Sequence, residues 1–281
     1  MSTHNDVVRL ARLIPVFAAL LTGILLVTGG GCGKGLFQVT NSGSVTATST
    51  AGATKFLYAS NHTDGKLSAF SRNTSGTLTF IAQYGAGAVN GPMGVAITPN
   101  NRFLYLANSA DNSIREFRIG SSGALSSLGS IPAGTAPQII AIDHTGSFVY
   151  ATNATSKSIS EYSIGTNGGL TSIGLFTGFG GTPFGVVAHP TGNFLYMADN
   201  TAGLIYAFTI GSNGVLSLLA PPVSSNGGSG GQPGLMTIAI DSSQGYLMVG
   251  DMSSGVVSVF VINSDGTITF SALSGPVSRS Q

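Results

Sequence analysis

The sequence predicts an all-β protein, a β-propeller built from four-stranded blades, and three observations carry that expectation. First, the chain repeats itself. Tyr58, Tyr105, Tyr150, Tyr196 and Met248 stand 47, 45, 46 and 52 residues apart, and Phe70, Phe117, Tyr162, Phe208 and Phe260 keep the same intervals. So do Gly76, Gly123, Gly168, Gly214 and Gly266. Second, four of the five units hold four short apolar runs rich in β-branched and aromatic residues, parted by turn residues, which is the pattern of a propeller blade rather than of a helical solenoid. Third, the composition is that of strands and tight turns: 42% hydrophobic residues, 41 glycines and only 7% charged residues in 281.

Within a unit, strand A is the Gly-Val-Ala-Ile type, from about Met93 to Thr98, followed by a turn such as Pro99-Asn100-Asn101. Its small residues, Gly94, Ala96, Ala141, Gly185 and Ala239, suit the innermost strand, where blades converge. Strand B is Phe-Leu-Tyr, and strand C is Ser-Ile-Arg-Glu-Phe-Arg-Ile. A glycine-containing turn then leads to strand D, Ala-Leu-Ser-Ser-Leu. The longer fourth interval is absorbed by one loop, Pro-Pro-Val-Ser-Ser-Asn-Gly-Gly-Ser-Gly-Gly, ahead of the fifth unit. The first unit begins at strand B (Lys55 to Tyr58) and the fifth ends at strand D, so no closing strand is visible. The expectation is a truncated propeller in preference to five blades in an open ring, and hence exposed apolar blade faces.

The N-terminal residues 1–32 read as a targeting segment: Arg9 and Arg12, then an uncharged apolar stretch from Leu13 to Val27, shorter than a membrane span. The run Thr28-Gly29-Gly30-Gly31-Cys32 resembles the lipobox of bacterial lipoproteins, which implies cleavage before Cys32 and its acylation. An ordinary secretory signal is the alternative, and either exports the domain to the periplasm or cell surface. Cys32 is the sole cysteine, so the mature body needs no disulfide. Residues 33–54, rich in Gly, Ser and Thr, read as a tether, and residues 55–281 as the propeller.

The runs Tyr58-Ala59-Ser60-Asn61, Tyr105-Leu106-Ala107-Asn108 and Tyr150-Ala151-Thr152-Asn153 resemble the YVTN-type propeller repeat. Together with the Pro-x-Gly-Val-Ala and Asp-Gly-x-Leu elements, residues 55–271 resemble the propeller lactonase family that includes 6-phosphogluconolactonase-like proteins. The family is commonly seven-bladed. The resemblance implies a lactonase whose Arg and His sit at the start of an inner strand, in a Gly-Pro-Arg-His-like element. The matching elements here read Gly91-Pro92-Met93-Gly94, Ala136-Pro137-Gln138-Ile139 and Thr182-Pro183-Phe184-Gly185. None keeps the Arg or the His, so no catalytic residue is carried over.

In a propeller the D–A and B–C connections share one face, and a site is expected there. The positions entering strand A are Met93, Gln138, Phe184 and Met236, and those ending strand B are Asn61, Asn108, Asn153, Asp199 and Asp251. Such a ring of amides with two carboxylates could hold a sugar, a peptide or a cation. The same residues also serve to cap the B–C turn through side-chain-to-backbone bonds, and their recurrence in every blade favours capping. His62 follows Asn61 and is the histidine on this face, whereas His144 and His189 fall in A–B turns at the other. Glu116 and Glu161, at equivalent positions of strand C, read as a solvated edge.

A net charge of +1 without a Lys/Arg cluster argues against nucleic-acid partners. No nucleophile elbow, metal-spaced His/Cys set or phosphate loop is present, so neither metal nor cofactor is expected. Two functions remain. The leading one is an exported binding module that takes a small molecule, glycan or protein at the channel mouth. The other is a lactonase-type hydrolase acting on a sugar lactone.

Overall fold

The computed structural model describes residues 55–86, 91–227 and 234–274. The targeting segment with Cys32 and the tether up to residue 54 lie outside them. Among the described residues the chain is all strand and turn, in five antiparallel sheets laid down in sequence order. Blade 1 holds β1 (Lys55–Asn61), β2 (Lys66–Arg72) and β3 (Leu78–Gly85). Blade 2 holds β4 (Pro92–Ile97), β5 (Phe103–Asn108), β6 (Ser113–Ile119) and β7 (Leu125–Pro132). Blade 3 holds β8 (Pro137–Ile142), β9 (Phe148–Asn153), β10 (Ser158–Ile164) and β11 (Leu170–Phe176). Blade 4 holds β12 (Pro183–Ala188), β13 (Phe194–Asp199), β14 (Leu204–Ile210), β15 (Leu216–Leu218) and β16 (Val223–Ser224). Blade 5 holds β17 (Leu235–Ile240), β18 (Tyr246–Asp251), β19 (Val256–Ile262) and β20 (Ile268–Leu273). The predicted blades are therefore present, the first with three strands among the described residues. No strand pairing there joins the fifth sheet to the first.

The expected loop before the fifth unit is not wholly a loop. Val223 and Ser224 pair with Ile205 and Leu204, completing the outer edge that β15 begins. Strand D of blade 4 is broken in two because Pro221 and Pro222 have no N–H to give the ladder.

The innermost strands β4, β8, β12 and β17 pack against one another in that order, which sets the blades around a common axis. At the glycine of β4 the approach is close: a Cβ on Gly94 would lie 2.7 Å from Ile139 Cα and 2.8 Å from the Gln138 carbonyl oxygen. The hydrophobic core lies between blades. On β5, Leu104 and Leu106 pack toward blade 1, while Phe103, Tyr105 and Ala107 pack toward blade 3. A strand covered on both faces reads as a continuous apolar run, which explains why strand B shows no alternation.

One contact recurs at every described blade interface. The hydroxyls of Tyr58, Tyr105, Tyr150 and Tyr196 donate to the carbonyls of Gly123, Gly168, Gly214 and Gly266, at 2.8, 2.8, 2.7 and 2.9 Å. Each tyrosine is on strand B and each glycine in the C–D turn of the next blade. Two residues before each tyrosine stands a phenylalanine, Phe56, Phe103, Phe148 or Phe194, whose ring covers that same glycine and occupies the space a Cβ would need. The four glycines have φ of 81°, 91°, 83° and 84°, in the left-handed region that disfavours a side chain in any case. Burial raises the pKa of all four phenols, so they remain donors. In blade 5 the corresponding positions are Tyr246 and Met248.

Glu116 and Glu161 are not on a solvated edge. They are 6% and 1% exposed, and each accepts the amide that opens strand D of the next blade, Leu170 N–H at 3.1 Å and Leu216 N–H at 3.1 Å. Tyr84 does the same for Leu125 N–H at 2.9 Å. Sequence reading misses this because the partner lies 54 or 55 residues downstream. Burial raises both carboxyl pKa values, and the amide bond opposes the rise only in part.

Two predictions test these interfaces. Tyr105→Phe should cost about 1–2 kcal/mol by orphaning a buried carbonyl, and Gly168→Ala about 2–4 kcal/mol by strain and overpacking, both read by urea unfolding. A carboxyl pKa raised on folding means that the folded state holds the proton more tightly. The contribution of Glu161 is thus full below the ordinary carboxylate range and is lost as pH rises through the raised value. Melting temperatures followed from about pH 4 to about pH 8 should show that loss in the native chain and less of it in Glu161→Gln.

Candidate binding site at the opening of the inner strands

Each innermost strand begins with an irregularity. Pro92, Pro137, Pro183 and Leu235 pair with Asn108, Asn153, Asp199 and Asp251, after which the register slips before regular pairing resumes at Val95, Ile140, Val186 and Thr237. Bulges of this kind re-aim side chains at the rim of a sheet. Here they carry Met93, Gln138 and Phe184 at the end of the axis where the D–A and B–C connections meet. Met93 and Phe184 are half-buried and lean on the cores that join blade 2 to blade 3 and blade 3 to blade 4. Gln138 is buried and its amide donates to Ala136 O at 3.1 Å.

The bulged backbone is held by the preceding blade. Ser60 Oγ donates to Met93 O at 2.6 Å, Thr152 Oγ1 to Phe184 O at 2.6 Å, and Asn200 Nδ2 to Leu235 O at 3.0 Å. His62 Nδ1 lies 3.3 Å from Pro92 O, on the carbonyl equivalent to the one Asn200 takes. Ser60, Thr152 and Asn200 were not legible as site residues. Each stands next to a strand-B end that was singled out, but its partner is one blade away.

The strand-B ends are engaged by the fold. Asn108 donates to Ala86 O at 2.7 Å and accepts from Ala110 N–H and Asp111 N–H at 3.2 and 3.3 Å. Asp199, fully buried, accepts from four amides: Gly181 at 2.9, Thr182 at 2.7, Thr201 at 3.1 and Ala202 at 3.0 Å. It therefore ties its own B–C turn to the D–A connection. Asp251 accepts from Ser253 N–H at 2.7 Å, Ser254 N–H at 3.2 Å and Ser254 Oγ at 2.7 Å. Asn61 donates to Ser68 Oγ at 2.9 Å, and Asn153 to Ser158 Oγ and Ser160 Oγ at 3.1 and 2.9 Å. The Oδ1 of Asn153 is buried with no hydrogen-bond partner.

One hollow lies toward the A–B end of the inner strands and another beside Asp251. Between the inner strands, Ala96, Ala141, Ile142, Val186, Val187 and Ala188 line an apolar space of about 40 Å³, room for little more than a water. That hollow is too small for a ligand of sugar size. A wider cleft of about 240 Å³ lies at the seam of blades 4 and 5, where Asp251 meets Ser254, Val256, Ser258 and Leu273. Among the described residues no three His, Cys, Asp or Glu side chains gather as metal ligands would.

His144 and His189 lie at the far end of the inner strands, as expected. His189 Nδ1 accepts from Gly192 N–H at 2.8 Å and Thr191 N–H at 3.3 Å, capping its A–B turn, and burial lowers its pKa. Since Asp199 is level with Pro183 at the opposite end of the six-residue β12, about 20 Å of strand separates this imidazole from that carboxylate.

Several solved structures share this fold. A protein from Lactobacillus plantarum superposes with a TM-score of 0.69 at 15% identity, over 78% of this chain and 67% of its own. A candidate 6-phosphogluconolactonase of Bacteroides uniformis gives 0.66 at 18% identity, over 76% and 66%. The periplasmic gluconolactonase of Pseudomonas aeruginosa gives 0.64 at 16% identity, over 78% and 67%. The chain thus spans about two thirds of the length of these proteins, and at such identities the likeness is one of fold. No curated protein matches the sequence. The family described as "Lactonase, 7-bladed beta-propeller" matches residues 83–178 and again 154–275. Through those two overlapping stretches, which take in most of the chain and all of blades 2 to 5, the protein belongs to the lactonase family of β-propellers.

Proposed function

We propose that this protein is an exported binding module of the lactonase family that holds an uncharged sugar or sugar lactone at the opening of the inner strands without hydrolysing it. The observation that carries this reading is the allocation of polar groups at that opening. Asp199, Asp251 and Asn108 spend their oxygens on backbone amides, as turn-forming acceptors. The positions where the family resemblance places the Arg carry Met93, Gln138 and Phe184, and those where it places the His carry Gly94, Ile139 and Gly185. An apolar face beside an amide suits the C–H face and hydroxyls of a sugar ring, whereas ester hydrolysis needs a base and a group to stabilise the oxyanion. The carboxylates Asp199 and Asp251 and the amides Asn61, Asn108 and Asn153 then act as the frame of the site, with His62 and Gln138 nearest its rim. Lipidation at Cys32 holds the module to the membrane.

A lactonase reading has support of its own: the family match, and the imidazole of His62 set beside the Pro92 carbonyl at this opening. Calorimetry with glucono-1,5-lactone and a panel of neutral monosaccharides should find a ligand whose affinity falls about tenfold or more in Phe184→Ala, while a lactone hydrolysis assay stays at the uncatalysed rate. Turnover that disappears in His62→Ala would overturn the binding-only reading in favour of the hydrolase. For the anchor, the mature chain made in a bacterial host should begin at Cys32 and carry the mass of its lipids. Cys32→Ser should leave the chain soluble, and an unmodified N-terminus elsewhere would remove the anchor.

A further inference from the structure

The described Lys and Arg residues are not spread evenly over the propeller. Four of the seven, Lys55, Arg72, Arg102 and Arg118, fall at the end of blades 1 and 2 that carries the A–B and C–D turns. Lys55 pairs with Arg72 across the first hairpin, and Arg72 is the last residue before the C–D turn of blade 1. In blade 2, Phe103 pairs with Arg118 and the Arg102 carbonyl accepts from Ile119 N–H, which sets the two arginines on neighbouring strands at one level. Phe56, next to Lys55, covers Gly123 in the C–D turn that follows Arg118, so the two pairs meet across one seam. We propose that this corner is a docking surface for an anionic lipid bilayer, and that it turns the opening of the inner strands, at the opposite end, away from the membrane.

Arg72, Arg102 and Arg118 are exposed. The guanidinium carbons of Arg102 and Arg118 lie 5.2 and 5.3 Å from the centroid of one ring, that of Phe103, and Arg118 also donates to Asn167 O at 3.1 Å. Two like charges gathered at one ring repel each other, and among the described residues no carboxylate forms an ion pair with either. The described carboxylates of blades 1 and 2 are elsewhere: Asp64 and Asp111 stand in B–C turns at the opposite end, and Glu116 is buried in the seam. In blade 3, Asp143 is buried and accepts from the amides of Ser147 and Phe148, while the exposed Asp265 belongs to blade 5. A phosphodiester supplied from outside offsets the repulsion, and a guanidinium can meet its oxygens in pairs.

The path of the chain points the same way. Residues 33–54 lead into this corner, because β1 opens at Lys55. A lipid on Cys32 is thus joined to the end of the domain that carries the cations. The orientation rests on that reading of Cys32, whereas the affinity for anionic lipid does not. An acidic leaflet attracts cations held within about a Debye length of it, roughly 8 Å, so the local gathering of charge counts here and the net charge of +1 does not.

The test uses the mature chain carrying Cys32→Ser, which has no lipid to hold it. It should sediment with vesicles of phosphatidylcholine containing about a third phosphatidylglycerol, stay free of pure phosphatidylcholine, and be released as salt is raised. Arg102→Gln with Arg118→Gln should weaken that binding about tenfold or more. Lys66→Gln with Lys157→Gln, the same change of charge at the other end, should leave it within about twofold. A quencher carried on the lipid should reach a fluorophore on Ser121→Cys, in the C–D turn of blade 2, and not one on Ala110→Cys, in its B–C turn. Absence of binding to the acidic vesicles, equal losses in the two pairs, or quenching on Ala110→Cys instead would overturn the proposal. So would tighter binding to a DNA duplex than to those vesicles at the same salt, which would assign the corner to nucleic acid. The mass of the native mature chain decides the anchor separately, since the vesicle assay runs without it.

Discussion

Everything in this molecule that is not local hairpin geometry depends on how one blade meets the next, and the phenylalanine–tyrosine grip on a turn glycine is the contact that fixes that meeting. A twisted four-stranded sheet has two apolar faces and cannot bury either alone. The grip settles both angle and height: the ring sits where a Cβ would be, and the phenol reaches the carbonyl of the same residue. Around it the other inter-blade bonds fall into layers. Glu116 and Glu161 hold the amides that open the outer strands, while Ser60 and Thr152 hold the carbonyls at the bulges of the inner ones. The site is thus a by-product of blade packing, since the same bonds that align two blades aim Met93 and Phe184 at the opening of the axis.

That arrangement explains the shortage of charge. Among the described residues six of nine carboxylates are buried. Asp199 gathers four amides, Asp143 and Asp241 cap A–B turns, and Glu116 and Glu161 are buried in the seams. The described ion pair, Arg115 with Asp111, is a local one on the surface. Acidic side chains used as fixed backbone acceptors are poorly placed to exchange protons with a substrate, and the non-hydrolytic reading draws on that division of labour.

The blades were legible in the sequence because the repeat marks are covalently regular: tyrosine, phenylalanine and glycine return at one interval, and the four apolar runs follow from them. The turn-capping role of Asn108, Asp199 and Asp251 was also legible, being decided within a few residues. What stayed hidden was contact between blades. Nothing local distinguishes Glu161 from a surface glutamate, as its partner Leu216 is a whole repeat away. The same holds for Ser60 and Thr152, and for the part-strand made by Val223 and Ser224 behind two prolines. A candidate site at the start of the inner strands could be named from the sequence, but which of its polar groups the fold engages depends on donors that the sequence does not place.

The grip also has a direction. The phenol always belongs to the earlier blade and the glycine to the later one, so each of blades 1 to 4, as it leaves the ribosome, carries an unfilled donor until its successor arrives. Such an array can close in order from the N-terminal end, each closure burying the face the previous step left bare. A chain fed out in extended form can therefore capture its own blades in order, with no need to find distant partners.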